Sequence, residues 1–489
     1  MSNGCFCATS DEFKKTSGHA NRNARATALR ITPIVSRHAS MVFIPFSCAI
    51  KARLDSVTLK ILSRAMQTPD SAREILIRAV KGTRDLLPPS TAVWNHVEAV
   101  ARRVFEAYNY HEIRTPILED TQLFARGVGQ ETDIVTKEMY TFEDRDGASV
   151  TLRPEATASV MRAYIEHRLD QRPGVQKLYY MGPMFRRERP QKGRYRQFYQ
   201  IGVEAIGSES PVVDAEVIEM VVELFSRVGL ENFTLLLNSV GCQNCRPAYI
   251  ELLREELAKV APTLCEDCQR RAQTNPLRVL DCKVPEDQPA IDQLPSILDH
   301  LCEICRPHFE TVQRLLKHRG VQFEIRPRLV RGLDYYMRTT FEVVHGALGA
   351  QNAVLGGGRY DGLAEALGSK IPAPGIGFSI GEDRLVMTLE DRISVPSLDL
   401  FIAALGDAAV ERAGLLARDL RRGSYSVEVG FDGKLKRSME LANKLGSRYT
   451  LIVGEDELAA GRYTLKHMAS GIQEQLAPEE IAQRLRAKE

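Results

Sequence analysis

The stretch Phe185-Arg-Arg-Glu-Arg-Pro-Gln-Lys-Gly-Arg-Tyr-Arg-Gln-Phe-Tyr-Gln-Ile-Gly-Val-Glu204 joins a basic loop to an alternating segment. Its first twelve residues carry six basic side chains and one acid, Glu188, and Pro190 and Gly193 predict a loop there. Beyond the loop, a strand would place cations, an aromatic ring, an amide and a carboxylate on one face: Arg194, Arg196, Phe198, Gln200, Gly202 and Glu204. The opposite face is apolar: Tyr199, Ile201, Val203 and Ala205. A basic surface hairpin is the alternative, because charge runs are usually solvated, but the ordered polar face favours a binding site for a flat base, a polyphosphate and a cationic group.

Three stretches resemble signatures of class II aminoacyl-tRNA synthetases, in the form found in the histidyl-tRNA synthetase family. Phe185–Gln200 resembles motif 2, and two others resemble the histidine-specific signatures: Leu329-Val-Arg-Gly-Leu-Asp-Tyr-Tyr336 and Leu355-Gly-Gly-Gly-Arg-Tyr-Asp-Gly362. The resemblance runs from about Ile77 to the C-terminus. It implies an α+β fold, with an antiparallel-sheet catalytic core, helices, a helical insertion and a C-terminal α/β anticodon-binding domain.

The composition is typical of a soluble globular protein, with 44% hydrophobic and 26% charged residues in 489. No apolar run approaches the ~20 residues that span a bilayer, so no membrane association is expected. Ten cysteines without a secretory signal predict reduced thiols inside the cell. Residues 1–70 carry ten Lys/Arg and four Asp/Glu, and the remainder carries 55 and 59. An RNA-binding protein with this acidic body needs local basic patches, of which Arg186–Arg196 is one.

Residues 1–73 show little periodicity and are expected to be a disordered extension, or residues upstream of a true start at Met66. An organellar transit peptide is the alternative, but Asp11 and Glu12 count against it because such peptides are poor in acids. A cytoplasmic location is therefore expected, with an organellar one as the alternative.

The resemblance divides the remaining chain into a catalytic core interrupted by an insertion. The expected segments are the core with motifs 1 and 2 (74–240), the insertion (241–325), the core with the histidine-specific motifs and motif 3 (326–396), and the anticodon-binding domain (397–489). A helix through Val97 and Val104 and a strand over His111–Leu118 resemble motif 1, which implies a homodimer interface. Gly375–Leu385 resembles motif 3, with Arg384 on its helix. We also expect a helix over Ile297–His318.

The C-terminal segment alternates strands and helices, which predicts a small domain with a mixed or parallel sheet. The expected elements are strands at Leu400–Ala404, Val427–Val429 and Tyr449–Val453, and helices at Ala408–Arg422, at Leu435–Leu445 and from Pro478.

The resemblance implies a two-step reaction. The carboxylate of histidine attacks the α-phosphate of ATP, giving histidyl-adenylate and pyrophosphate, and the terminal ribose hydroxyl of tRNA(His) then accepts histidine. The implied catalytic residues are Arg331 and Arg186. The implied ATP contacts, with Mg²⁺ bridging the phosphates, are Arg186, Glu188, Arg194, Phe198 and Arg384. The implied histidine contacts are Glu155, Thr157, Arg186, Gln200, Glu204, Arg331, Tyr335, Tyr336 and Tyr360.

These residue types suit the chemistry. In-line transfer at phosphorus is accelerated mainly by positioning and charge neutralisation, and an arginine such as Arg331 stays charged and donates in a planar fork. Phe198 offers a face on which adenine can stack. Glu204 and Tyr336 would pair the two nitrogens of imidazole, and such a site rejects rings that leave it unpaired. Helix capping is the alternative for Glu155, because acids and a proline such as Pro154 near a helix start are also a capping signal.

The cysteines concentrate in the insertion, where two CxxC pairs at Cys242/Cys245 and Cys265/Cys268 are spaced like a zinc ribbon. Free thiols are the alternative, and we favour them because zinc is no part of the machinery that the resemblance implies.

Two other functions use the same core. A regulatory paralogue of ATP phosphoribosyltransferase would bind histidine without charging tRNA, and an RNA-binding or signalling protein would keep the fold alone. Arg331 and the motif 2 arginines are intact and a C-terminal α/β segment is present, which favours the synthetase. Its expected partners are tRNA(His), histidine, ATP and a second copy of the chain.

Overall fold

The computed structural model describes residues 77–486, except 131, 350–351, 390–391, 394–397 and 432. The extension expected at 1–73 lies outside the described residues. In this part of the chain, no helix has both the length and the apolar character that crossing a bilayer requires.

The strands lie in three sheets. In chain order they are β1 (His111–Glu112), β2 (Leu118–Asp120), β3 (Tyr140–Glu143), β4 (Ser149–Leu152), β5 (Gln176–Phe185), β6 (Gln197–Ile206), β7 (Phe233–Ser239), β8 (Glu324–Ile325), β9 (Met337–His345), β10 (Ala353–Arg359), β11 (Gly375–Gly381), β12 (Leu400–Ala404), β13 (Val427–Gly430), β14 (Tyr449–Val453), β15 (Tyr463–His467) and β16 (Gln473–Leu476).

Helices precede, interrupt and cover these sheets. In chain order they are α1 (Thr91–Ala107), α2 (Thr121–Gly127), α3 (Thr157–Glu166), α4 (Pro211–Val228), α5 (Arg246–Val260), α6 (Glu266–Thr274), α7 (Gln288–Ile291), α8 (Cys305–His318), α9 (Leu363–Ala366), α10 (Glu382–Leu389), α11 (Asp407–Arg422), α12 (Leu435–Lys444), α13 (Glu455–Ala460) and α14 (Pro478–Arg486).

The largest sheet has eight strands in the order β1-β5-β6-β11-β10-β9-β7-β8. Its inner pairs are antiparallel, and only the outermost pairs, β1 with β5 and β7 with β8, run parallel. The predicted α+β class with an antiparallel core is confirmed. The register sets Gln200 opposite Gly182 on β5 and Glu204 opposite Gly377 on β11.

The alternation of β6 explains why one of its faces is free for a site. Ile201, Val203 and Ala205 are fully buried in the main hydrophobic core, together with residues of α1 and α4. Helix α1 packs on this side, since the Trp94 ring meets Tyr199 edge-on at 5.4 Å. Each large apolar side chain buried in this way contributes roughly 1.5–3 kcal/mol. The core therefore holds the apolar face, and the polar face points the other way.

The single strand expected at His111–Leu118 is wrong. The chain pairs with the main sheet only at β1, and then enters the separate three-stranded sheet β2-β4-β3 at Leu118. Pro116 lies between the two, where it has no amide proton for a ladder. The side chain of Arg153 fills part of the gap, donating to the Thr115 carbonyl at 3.0 Å.

The segment between β7 and β8 contains helices α5 to α8. The helix expected at Ile297–His318 is interrupted: a short 3₁₀ turn covers Ile297–His300, and α8 begins only at Cys305. The break brings Cys302 and Cys305 to the start of α8, beside other cysteines described below.

The C-terminal sheet is mixed, in the order β13-β12-β14-β15-β16. Strands β12, β13 and β14 are parallel, as in a βαβ arrangement, and β15 and β16 add an antiparallel hairpin. The predicted strands at Leu400–Ala404 and Tyr449–Val453 are confirmed, whereas α13 and the hairpin were not predicted.

A buried arginine joins the main sheet to α4. Arg359, at the end of β10, has no exposed surface and donates from Nε to Asp214 Oδ1 at 2.8 Å and from Nη1 to Asp361 Oδ1 at 2.8 Å. It also donates to the carbonyls of Ser208 and Ser210. A fully buried ion pair has a large desolvation cost, and geometry with every donor used is what makes it tolerable.

We expect Arg359→Met to lower the free energy of unfolding by about 3–5 kcal/mol, because Asp214 would remain buried without its partner. Urea denaturation at neutral pH measures the change. Arg227→Met is the matched control, since Arg227 forms an ion pair with Glu223 at an exposed position and such pairs contribute about 0–1 kcal/mol. Equal losses in the two variants would contradict the structural role of Arg359.

Candidate active site

A cavity of about 1090 Å³ lies between the polar face of the main sheet and the segment that contains α6. Twelve of the thirteen predicted site residues line it: Glu155, Thr157, Arg186, Glu188, Arg194, Phe198, Gln200, Arg331, Tyr335, Tyr336, Tyr360 and Arg384. The thirteenth, Glu204, lies directly beneath, hydrogen-bonded to two of them. The residues come from five separate stretches of the chain, so the fold brings the predicted set together.

Glu204 forms the floor of one end of the cavity. Its Oε1 accepts from the Thr157 hydroxyl at 2.7 Å, and its Oε2 accepts from the Tyr360 hydroxyl at 2.6 Å. Burial raises the pKa of Glu204 to about 8, although both hydroxyls favour the charged form. No basic side chain among the described residues forms an ion pair with it. A cationic or N–H-donating group entering this end would therefore find an acceptor without a counter-charge.

Two glycines make room for charged side chains. A Cβ on Gly377 would lie 1.9 Å from Glu204 Oε2, and one on Gly356 would lie 1.7 Å from Arg331 Nη2. Any larger residue would displace these groups. Within the glycine triplet, Gly356 thus leaves the space that the Arg331 side chain occupies against β10.

Arg331 forms an ion pair with Glu342 on the neighbouring strand β9. Glu342 was not predicted, although the alternation of β9 places it on the same face as Thr340. It also lines the cavity. Burial alone would lower the pKa of Arg331, but Glu342 and other neighbouring groups outweigh burial and raise it, so Arg331 remains a fixed positive charge.

Glu155 caps helix α3. Its two carboxylate oxygens accept the backbone amides of Thr157 at 2.7 Å and Ala158 at 2.9 Å, as a helix start requires. The capping interpretation of this residue is therefore correct, whatever else it binds. By contrast, Gln200 Oε1 is buried and has no hydrogen-bond partner among the described residues. A buried amide oxygen is rarely left without a hydrogen-bond partner. Gln200 lines the cavity, where a ligand can supply that partner.

The other end of the cavity is rich in arginine. Arg194 forms an ion pair with Glu188 at 3.0 Å, and Arg186 lies 3.8 Å from the same carboxylate with its guanidinium 5.2 Å from the centre of the Phe198 ring. Arg384 donates to the carbonyls of Gly193 at 3.2 Å and Ala353 at 2.7 Å. Several positive charges around one acid make an anion-binding end, suited to phosphate groups.

The segment around residue 82 holds the basic loop, a role that the sequence did not indicate. Gly82 accepts the backbone amide of Arg196 at 2.7 Å. Arg84 lies 4.2 Å above the Tyr195 ring and forms an ion pair with Asp383 at 2.7 Å. Asp383 in turn accepts the backbone amide of Tyr199 at 2.9 Å.

The structure does not bring Cys242, Cys245, Cys265 and Cys268 together as the zinc-ribbon spacing suggested. The structure separates the two CxxC pairs: the first lies with Cys302 and Cys305, and the second lies with Cys282 and Asp287. The break before α8 causes the regrouping, because it carries Cys302 and Cys305 back to the turn after β7.

Comparison with known proteins gives matches over nearly all of the described chain. Residues 82–385 match a family model described as histidyl-tRNA synthetase, and residues 399–488 match one described as an anticodon binding domain. The histidine–tRNA ligase of Solibacter usitatus is 74% identical over 412 residues, which cover 84% of this chain and 99% of that protein.

Solved structures agree. Apo histidyl-tRNA synthetase of S. aureus superimposes with a TM-score of 0.70 at 38% identity, covering 84% of this chain and 100% of that one. A structure titled ATP phosphoribosyltransferase regulatory subunit/histidyl-tRNA synthetase from Bacillus halodurans C has a TM-score of 0.58 at 22% identity, covering 77% of this chain and 98% of its own, and shows a shared fold alone.

The pKa of Glu204 predicts a pH-dependent effect of Glu204→Gln on stability. Between an unfolded pKa near 4.5 and a folded pKa of about 8, the folded protein holds a proton that the unfolded chain releases. Its free energy of unfolding therefore falls as pH rises through this window. Glutamine does not titrate, so the variant should gain roughly 1–3 kcal/mol relative to the wild type between pH ~4.5 and pH ~8.

Urea denaturation of the ligand-free protein at both pH values measures this gain. Glu428→Gln, at an exposed position of β13, is the matched control. A difference between the Glu204 variant and the wild type that is the same at both pH values would contradict the raised pKa.

Proposed function

Because the chain belongs to the histidyl-tRNA synthetase family, we propose that the cavity holds histidine over Glu204 and ATP among the arginines at its other end. The protein is a histidine–tRNA ligase, which activates histidine with ATP and transfers it to tRNA. One observation carries the assignment of the two ends: an uncompensated buried carboxylate lies at one, and Arg186, Arg194 and Arg384 lie at the other.

At the histidine end, Glu204 would accept from one imidazole nitrogen and Tyr336 would pair the other. Tyr360 and Thr157 both donate to Glu204, so they position its carboxylate for the ring. A protonated imidazole ring would supply a positive charge beside the buried Glu204. Without a ligand, Glu204 has no such partner among the described residues, and burial raises its pKa above that of an ordinary carboxyl. Tyr335 completes the wall, with its ring 5.9 Å from that of Tyr360.

The α-amino group of histidine would lie beside Gln200, Glu155 and Thr157. Gln200 Oε1 supports this most directly, since it is buried with an acceptor that no described residue uses. Among the described residues, Glu155 Oε1 accepts only the amide of Ala158 and retains a further lone pair, so capping and ammonium binding are compatible.

At the ATP end, Arg194 and Arg384 would hold the β- and γ-phosphates, and Phe198 would stack on adenine. Glu188 supports the arrangement because it lies against both Arg194 and Arg186. Mg²⁺ would enter with ATP, held by phosphate oxygens and by Glu188, the acid among these arginines. When bound, the ion would neutralise part of the charge of the leaving pyrophosphate.

Adenylate formation needs charge stabilisation around the α-phosphate and no covalent enzyme intermediate. Arg186 would approach from the motif 2 side, where its Nε is fixed by the Pro154 carbonyl at 2.9 Å. Arg331 would approach from the β10 side, held by Glu342 and by the space above Gly356. Two fixed guanidinium groups neutralise the charge that develops when the carboxylate of histidine attacks, without reorganisation during the step.

For the second step, tRNA(His) would contact the C-terminal domain and the acceptor-stem side of the insertion. Lys434, Lys436 and Arg437 are exposed at the start of α12 and are the candidate anticodon contacts. We propose the domain limits 74–240, 241–325, 326–396 and 397–489, and a cytoplasmic location. The regulatory paralogue is a weaker alternative, because residues 399–488 match an anticodon binding domain.

Arg331→Ala should lower the rate of histidine-dependent ATP–pyrophosphate exchange by roughly 10²–10³-fold, the usual cost of removing one preorganised charge-stabilising donor. Histidine binding, measured by calorimetry, should remain detectable because Glu204 and Gln200 are untouched. Arg331→Lys should restore little, since an ammonium group lacks the planar fork.

Arg326→Ala is the matched control, because Arg326 pairs with Glu324 at the surface near the same segment. Exchange by Arg331→Ala near the wild-type rate would remove the catalytic role of this residue. Exchange with an amino acid other than histidine in the wild type would remove the substrate assignment.

We also propose a homodimer formed through the motif 1 region. Strand β1 is an edge of the main sheet, and Ile117 and Leu118 beside it are 42% and 49% exposed. Sedimentation equilibrium should give twice the chain mass of 54.7 kDa. A double substitution of Ile117 and Leu118 by Glu should shift the mass to one chain, whereas Ile472→Glu, at a 65% exposed position, should not. A monomeric wild type would refute the proposal.

A further inference from the structure

The first cysteine cluster has the spacing of a metal-binding tetrahedron. The sulfur atoms of four cysteines all lie within 4.8 Å of one another: Cys242, Cys245, Cys302 and Cys305. The measured Sγ–Sγ distances are 3.9 Å for Cys242–Cys245, 3.7 Å for Cys242–Cys302 and 3.9 Å for Cys245–Cys305. Four sulfurs bonded to one zinc ion at about 2.3 Å would lie about 3.8 Å apart. The thiols therefore already occupy the corners of such a site.

These cysteines lie in two turns that are far apart in sequence but have similar backbone surroundings. The amide of Asn244 donates to Cys242 Sγ at 3.4 Å, and the amide of Cys242 donates to Cys245 Sγ at 3.2 Å. In the second turn, the amides of Ile304 and Cys305 lie near Cys302 Sγ. The two turns are 60 residues apart in sequence. In each turn, the backbone amide two residues after the first cysteine lies near the sulfur of that cysteine. Hydrogen bonds from amides to sulfur orient metal ligands and stabilise thiolate charge.

The second cluster combines three thiols with a carboxylate. The ligand atoms of Cys265, Cys268, Cys282 and Asp287 also lie within 4.8 Å of one another. The amide of Val284 donates to Cys282 Sγ at 3.4 Å, again from two residues ahead. Asp287 is 2% exposed, accepts the amide of Cys265 at 3.0 Å and forms no ion pair with a basic residue in the described chain. A buried carboxylate without a counter-charge is costly, and a divalent cation would supply that charge.

We propose that the insertion binds two zinc ions, one in each cluster. Sulfur-dominated tetrahedral ligand sets suit zinc or iron–sulfur centres, and closed four-ligand zinc sites are structural. On binding, each coordinating thiol releases its proton to solvent. Disulfides do not explain the first cluster, because Cys242 lies at comparable distances from two partners and disulfide sulfurs lie about 2.05 Å apart. A polynuclear iron–sulfur cluster would hold its thiolates further apart than one ion does.

The first ion would close the base of the insertion. Cys242 follows β7 by three positions, and Cys305 begins α8, so the ion ties the point where the chain leaves the main sheet to the helix that returns toward it. Arg246, in the same turn, donates to the carbonyls of Val240 and Tyr336. The tie therefore extends to a residue of the candidate histidine pocket.

The second ion would fix the wall of the cavity. Cys265 and Cys282 both line the cavity, on the side opposite the main sheet. The chain between them forms α6 and one 3₁₀ segment, whose buried side chains are mostly small: Cys268, Ala272, Pro276, Val279 and Leu280. Because this segment has little apolar core, a cross-link would contribute much of its rigidity. A metal ion that binds only the folded form is a cross-link of this kind.

Metal analysis of the full chain, expressed with zinc and purified without chelator, tests the proposal. Mass spectrometry of the metal content should give two zinc ions per chain. Cys302→Ser and Asp287→Asn should each remove one ion, and the combined variant should remove both. The matched control is Asp281→Asn, because Asp281 is next to Cys282 in sequence but pairs with Lys283 instead. This control should retain two ions.

Cobalt substitution gives a second readout that does not depend on variants that fold poorly. The cobalt-loaded wild type should show the strong visible bands of tetrahedral coordination and thiolate charge transfer. A chain without zinc, whose seven insertion thiols react freely with a thiol reagent in the native state, would overturn the proposal. If the wild type holds only one zinc ion, the variant that still holds one ion identifies the cluster that binds no zinc. The proposal is then overturned for that cluster. Neither result bears on histidine-dependent exchange, so failure here is distinguishable from failure of the proposed residue roles.

Discussion

The buried pair between Arg359 and Asp214 fixes the end of β10, and the candidate site is arranged around that end. Arg359 also binds Asp361, which accepts the amide of Gly375 at the start of β11 at 3.2 Å. Asp361 lies 3.6 Å from Arg338 of β9 as well, and His308 of α8 lies 3.5 Å from Asp214. One guanidinium therefore sets three adjacent strands and two helices relative to one another. The neighbouring residue, Tyr360, transmits this position to Glu204.

The same sheet thus holds two kinds of buried ionisable group. Arg359 has every donor used, and its acids raise its pKa, so it is a structural charge. Glu204 has two hydroxyl donors and no cation, and burial raises its pKa to about 8. An unpaired buried acid is destabilising, and a fold retains one where a ligand will pair it. The fully paired network beside it supplies the rigidity that keeps Glu204 from turning toward solvent.

Local patterns in the sequence predicted many of the elements and one face of the site, whereas the other site residues were implied by the family resemblance. The period of two along β6 places Phe198, Gln200 and Glu204 on one face, and the structure brings this face to the cavity. Long-range contacts were not predictable in this way. Cys242 and Cys302 are 60 residues apart in sequence. They come together because the chain breaks before α8, and the helical spacing of apolar residues does not reveal that break. Arg359 reads as an ordinary polar residue beside three glycines, and only the packing of α4 against β10 shows its partner.

Under the proposed assignment, the end of the cavity for histidine and the end for ATP differ in how firmly they are held. The histidine end rests on the sheet: Glu204, Tyr360 and Gln200 are at least nine-tenths buried and are positioned by paired strands. The ATP end rests on the loop, where the Arg194 side chain is 40% exposed and its pair with Glu188 is correspondingly weak. Phosphate oxygens can replace that carboxylate at little cost, because a surface pair contributes about 0–1 kcal/mol. A preformed amino-acid pocket and an adaptable phosphate clamp therefore follow from the same chain, since one half is built on strands and the other on a glycine- and proline-interrupted loop.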